Sequence, residues 1–240
     1  MIRIKLDSLV ALLLLVLLVG CQSGGVAPVT TVGDRGKFHE VQRGETLYSI
    51  AFSYGEDYRD VAKRNGISQP YTIYVGQKLK IFGNAVAKKR APKRTTRATR
   101  KDTPKPVPKV AARAPAPVSD WLWPLDGEIL DGFSLSGKLN KGIDIAGSEG
   151  ATVRAAADGV VVYAGGNLRG YGKLVIVKHN DRFLSAYGNN GQIRVKEGDK
   201  VKRGQAISEV GKTNADVSML HFEIRRDGKP ENPLNHLPQR

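Results

Sequence analysis

The chain opens on an unbroken apolar run, Leu9 to Val19, preceded by Arg3 and Lys5 and followed by Gly20-Cys21. A membrane-crossing helix takes about 20 residues, so this run is too short to span and instead suits the apolar region of an export signal. Residues 22–37 are small and glycine-rich without periodicity, which predicts a disordered tether. From Phe38 the pattern changes. A short alternating run (Phe38, Val41) meets a turn at Arg43-Gly44, and Leu47, Ile50, Ala51 and Tyr54 then recur at helical spacing up to Gly55. Asp57 is placed to cap a second helix carrying Tyr58, Val61 and Ala62, which stops at Asn65-Gly66. Gly76-Gln77 turns into a last strand, Lys78 to Phe82, and the unit reads βααβ.

Residues 83–119 break the pattern again. Lysine and arginine mix with Pro, Ala and Thr, and no apolar period survives, so this stretch predicts a disordered basic spacer. At about 3.1 Å per residue it reaches roughly 115 Å when fully extended. Beyond Trp121 come short β-rich runs punctuated by glycine: "GVVVYAGG", "GKLVIVKHN", "RFLSAYGNN" and "GQAISEVG". Many short strands with glycine turns predict an antiparallel β-domain. Two segments echo each other, "GATVRAAADGVVVYAG" and "GDKVKRGQAISEVG". The second is also shaped like a biotinyl or lipoyl carrier hairpin, but no modifiable turn lysine in the required setting follows it. In "SMLHFEI", alternation puts Met219, His221 and Glu223 on one strand face and Leu220, Phe222 and Ile224 on the other.

The formal charge of the 240 residues is +15, and the basic spacer carries most of it: eleven Lys/Arg against Asp102 alone. "LVGC" at Leu18–Cys21 resembles a bacterial lipobox, which implies cleavage before Cys21 and acylation of that residue. Two or more acyl chains anchor a protein stably. Gln22 after the cysteine implies the outer membrane, on its periplasmic face. Export removes nucleic acid as the partner of the basic spacer. Cys21 is the sole cysteine, so nothing depends on disulfides.

"VQRGETLYSIA…N…YTIYVGQKLKI" resembles a LysM domain, with Glu45 where Asp is more usual. The resemblance implies a shallow groove for N-acetylglucosamine-containing glycans, lined by Gly44, Glu45, Thr46 and Leu47 and by Asn65, Gly66 and Ile67. In order, "NKGIDIAG", "GVVVYAGG…YGKLVIVKH", "SAYGNN", "GDKVKRGQ" and "MLHFEI" resemble the LytM (M23, lysostaphin-like) metallopeptidase domain over 121–240. "LRGYGKLVIVKHND" and "NPLNHLPQR" narrow the likeness to NlpD-like lipoproteins. The layout expected is therefore α+β: signal peptide 1–20, lipidated tether 21–37, βααβ LysM domain 38–82, disordered basic linker 83–119, and a mostly antiparallel β LytM-like domain 121–240.

Active members of that peptidase family hold zinc with a His-x-x-x-Asp pair and the second His of a His-x-His strand. Two further histidines handle the water and the oxyanion. Here the first ligand position is Asn140, while Asp144 and His221 are retained. The catalytic positions are Asn189 and Met219. Zinc catalysis requires three protein ligands and an open site for water, so the reading assigns no metal, no cofactor and no catalytic residue. Asp144 and His221 are expected as a structural pair, and His179 as a structural residue. The resemblance to NlpD-like and EnvC-like proteins implies activation of a periplasmic zinc amidase that cuts stem peptides from murein glycan. The vacated groove, with Asn140, Arg169, Tyr171, Asn189 and Met219, is its expected docking surface. Two other readings stay open: an inert tether between outer membrane and peptidoglycan, and an active M23 zinc endopeptidase.

Overall fold

The computed structural model describes residues 38–83, 118 and 120–240. The expected signal peptide, Cys21 with its tether, and all of the basic linker except its margins lie outside the described residues. Among the described residues no helix is long and apolar enough to cross a membrane.

The first module contains β1 (Phe38–Glu40), α1 (Leu47–Tyr54), α2 (Tyr58–Asn65) and β2 (Lys78–Lys80). Thr46 starts α1 with a capping box: its hydroxyl accepts from Ser49 N at 3.1 Å, and Ser49 Oγ accepts from Thr46 N at 2.9 Å. Asp57 caps α2 by accepting from Arg59 N at 2.8 Å. Gly55 and Gly66 end the two helices at φ 66° and 67°, a left-handed conformation that a side chain would strain. β1 and β2 pair antiparallel, with Phe38 opposite Lys80. The strand expected to reach Phe82 therefore stops at Lys80. Ile81 instead leaves the ladder to fill the core, where Val41, Leu47, Ile50, Val61 and Leu79 are also buried.

The second module is almost entirely strand: β3 (Ile129–Asp131), β4 (Ile143–Ala146), β5 (Thr152–Arg154), β6 (Gly159–Gly165), β7 (Lys173–Lys178), β8 (Phe183–Ile193), β9 (Lys200–Val201), β10 (Ala206–Val210), β11 (Met219–Arg226) and β12 (Lys229–Glu231), closed by a 3-10 turn at Pro233–Asn235. Every pairing is antiparallel. The main order is β3-β4-β11-β8-β7-β6-β9, with β10 bridging β5 and β8. The two segments that echo each other in sequence pair with one another, β5 on β10 and β6 on β9. Alternation along β11 sends Leu220, Phe222 and Ile224 into the main core beside Ile143, Val175 and Tyr187.

The opposite face of β6–β8 is buried as well. Tyr163, Leu174, Ile176, Leu184 and Ala186 form a separate apolar cluster there, and Phe52 of α1 belongs to it. The two modules thus lie within one compact unit. Direct hydrogen bonds join them, among them Thr46 Oγ1 to Val162 O (3.1 Å), Asn167 Nδ2 to Arg43 O (3.1 Å), Lys229 Nζ to Gly55 O (2.8 Å), Arg225 Nη1 to Phe52 O (2.6 Å) and Arg59 Nη2 to Asp227 Oδ1 (2.6 Å). This covering explains why Glu223 and Arg225, on the same face of β11 as Met219 and His221, are 0% and 1% exposed.

Candidate functional site

β4 and β11 are neighbours in register, so Asp144 lies directly opposite His221. Their side chains meet, His221 Nδ1 to Asp144 Oδ1 at 2.7 Å. The other ring nitrogen lies 3.1 Å from Glu223 Oε1. Burial alone would push this imidazole toward neutrality, but the hydrogen bonds to Asp144 and Glu223 outweigh it and raise its pKa to about 9. Each ring nitrogen thus lies within hydrogen-bond distance of a carboxylate.

Glu223 is the hub. Burial would raise its pKa, yet the Arg225 guanidinium and the His221 imidazolium bring it down to about 2. Arg225 Nε donates to Glu223 Oε2 at 2.7 Å, and Tyr171 Oη donates to Glu223 Oε1 at 2.9 Å. Arg225 Nη2 reaches the same tyrosine oxygen at 3.1 Å. The Arg225 guanidinium also stacks 3.4 Å from the centre of the Phe52 ring. A continuous polar chain thus runs from the first module, through Arg225 and Glu223, to His221 and Asp144.

Asn140 is buried beside this pair. Its Nδ2 donates to Asp144 Oδ2 at 3.2 Å, and its Oδ1 accepts from Gly142 N at 3.0 Å. Asn189 takes φ 63°, a left-handed conformation that asparagine tolerates better than most residues. Its amide ties three loops together, donating to Gly211 O (3.0 Å) and Met219 O (2.9 Å) and accepting from Asn214 N (2.7 Å). Met219 is half-buried at the start of β11. These residues floor a groove of about 340 Å³, with Lys138, Leu139 and Tyr171 on its walls. Leu139 is 59% exposed. A larger depression of about 840 Å³, between Trp123, Ile129 and the C-terminal Leu234–Arg240, shares no residue with the groove.

One expectation about the groove needs correction. Arg169 does not line it: the loop turns at Gly170, which does, and leaves Arg169 exposed outside. Tyr171 lines it as expected, with its hydroxyl held by Glu223 and Arg225. His179 holds Asp158 O (2.8 Å) and Ser185 Oγ (2.7 Å) beneath the Trp121 ring.

In the first module, Leu47 and Ile67 join one core, which draws the loop before α1 and the loop after α2 onto it. Several polar side chains there already have partners. Glu45 accepts from Gln42 N at 2.7 Å and pairs with His39, Thr46 caps α1, and Asn65 brackets the Lys80 backbone through Lys80 N and O. Gly44 and Gly66 remain exposed.

The donor set does not fit a catalytic zinc. Such a site needs three anionic or imidazole ligands with an open fourth position. Here one is a neutral amide facing the backbone, and the imidazole has both nitrogens engaged. Among the described residues, no three His, Cys, Asp or Glu side chains are grouped to hold a metal ion.

Residues 39–82 match the LysM domain model, and residues 138–233 match peptidase family M23. A LysM module joined to an M23-type β-domain defines the class. The chain is 49% identical over 227 residues to a Pseudomonas aeruginosa lipoprotein, the NlpD/LppB homolog, covering 83% of this chain and 76% of that one. It is 38% identical over 260 residues to the murein hydrolase activator NlpD of Escherichia coli (85% and 69% covered). It is also 38% identical over 242 residues to the lipoprotein YgeR of the same organism (98% and 95%). The chain belongs to the NlpD lipoprotein family.

Proposed function

We propose that this protein is a wall-bound, lipid-anchored activator of a periplasmic N-acetylmuramoyl-L-alanine amidase and cleaves no murein itself. The observation that carries this is the state of His221. Both its ring nitrogens are engaged by carboxylates, while Asn140 stands where a third zinc ligand is required. An M23-type domain so altered keeps a groove without the means to activate water. Family relatives named as murein hydrolase activators support the same reading.

The roles divide along the chain. The LysM module binds murein glycan at Gly44–Leu47 and Asn65–Ile67, and Cys21 carries the lipid that holds the protein to the outer membrane. The groove takes the amidase. Its exposed Leu139 and half-buried Met219 offer apolar contact beside Lys138 and Asn140. A regulatory segment of the amidase seated there would be drawn from that enzyme's own active site, shifting a closed–open equilibrium.

Binding tests this. Immobilised protein is presented with each periplasmic zinc amidase of its source in turn. Capture of one, abolished by Met219→Lys in a chain that remains folded, is the expected result. Capture of none leaves a wall tether as the function.

A further inference from the structure

Phe52 is an apolar residue of α1 that takes no part in the LysM core. Its side chain is 2% exposed and packs instead with Tyr163, Leu168, Leu174, Ile176 and Leu184 of the other module. The loop leading into α1 is held by the same neighbour. Asn167 Nδ2 donates to Arg43 O at 3.1 Å, a Cβ placed at Gly44 would lie 2.7 Å from that nitrogen, and Thr46 Oγ1 donates to Val162 O at 3.1 Å. Yet Gly44 and Thr46 belong to one of the two segments assigned above to the glycan. One wall of the sugar groove is therefore already pressed against β6 and the loop that follows it.

We propose that docking of the LysM module on β6–β8 and glycan binding at the Gly44–Leu47 loop exclude one another, so that wall glycan undocks the module. The proposal rests on the wall-binding reading and adds a regulation to it. An acetamido sugar at this loop needs the hydrogen-bonding groups near Gly44 and Thr46 that now face Asn167 and Val162. Undocking also removes the Phe52 carbonyl and ring from Arg225, the only strongly buried guanidinium among the described residues. Arg225 holds Glu223 and Tyr171, and both line the groove. Contact with the wall thereby reaches the amidase-binding groove along one chain of side chains.

The test uses the full chain and a soluble N-acetylglucosamine hexasaccharide. Asn167→Ala/Lys229→Ala removes two of the direct bonds from the far side and leaves the LysM module unaltered; Phe52→Ser removes the apolar contact. Apparent affinity scales with the undocked fraction, so releasing a dock that is about nine-tenths populated should tighten binding about tenfold. Tighter glycan binding by the double variant, together with faster amide exchange at 159–165 of wild type when glycan is saturating, is the expected result. Saturable binding without either change overturns the proposal alone. No binding by wild type or variants overturns it together with the wall-binding reading.

Discussion

Asp144 and His221 face each other across the β4–β11 ladder and share a 2.7 Å hydrogen bond. Here Glu223 closes the far side of the ring at 3.1 Å, and the imidazolium together with the Arg225 guanidinium balances the two carboxylates.

That arrangement makes stability depend on pH in a definite direction. The pKa of His221 rises from 6.5 to about 9 on folding. Its contribution is complete below pH 6.5 and is lost as pH climbs through 9, an effect of up to about 3 kcal/mol. Urea midpoints should fall between about pH 6 and pH 9.5 in wild type, and His221→Gln should flatten that limb. An equal fall in both proteins would place the titration elsewhere.

The Glu223–Arg225 pair is fully buried. Removing one partner of such a pair typically costs about 3–5 kcal/mol, because the other charge is stranded. Arg225→Met alone should therefore destabilise strongly, and Glu223→Gln/Arg225→Met by less than the sum of the singles. A double-mutant cycle by denaturant unfolding measures this. Additive losses would mean the pair is not coupled.

How much of this could be read beforehand differs from residue to residue. Alternation in "SMLHFEI" was enough to send Leu220, Phe222 and Ile224 to the core. The cap at Asp57 follows from local chemistry and needed no partner, whereas the Thr46 capping box went unread. The burial of Glu223 and Arg225 was not readable from β11 itself, because it depends on α1 arriving from more than a hundred residues earlier in the chain. Two signals pointed to it: Phe52 stands off the apolar stripe of its helix, and Leu174–Val177 runs apolar without alternating, as a strand covered on both faces does. Residue type alone picked out Arg169 and Tyr171 as contacts. The turn at Gly170 and the Tyr171 hydroxyl bonds are products of tertiary geometry. Asn189 was visible as a substitution, but its role as a three-way staple of loops was not.

Amidase binding should be sensitive at the apolar positions of the groove. Leu139→Asp and Met219→Lys should each weaken binding by about 1–3 kcal/mol, roughly 5- to 150-fold. Calorimetry on folded variants checks it, with Arg169→Ala, outside the groove, expected at wild-type affinity. If Arg169→Ala loses binding while the other two keep it, the docking surface is the outer loop.

Cys21→Ala should abolish incorporation of labelled palmitate and leave the protein unprocessed or mislocalised. Equal labelling of the mutant would remove the lipid anchor from the account.

The central claim is that this M23-type domain activates a hydrolase and is not one. Dye-labelled murein sacculi incubated with the protein, with its amidase, and with both together test it most directly. No dye release by the protein alone, little by the amidase alone and strong release by the pair, blocked by Met219→Lys, is the expected result. Chelator-sensitive release by the protein alone, with near one zinc per chain, would contradict it.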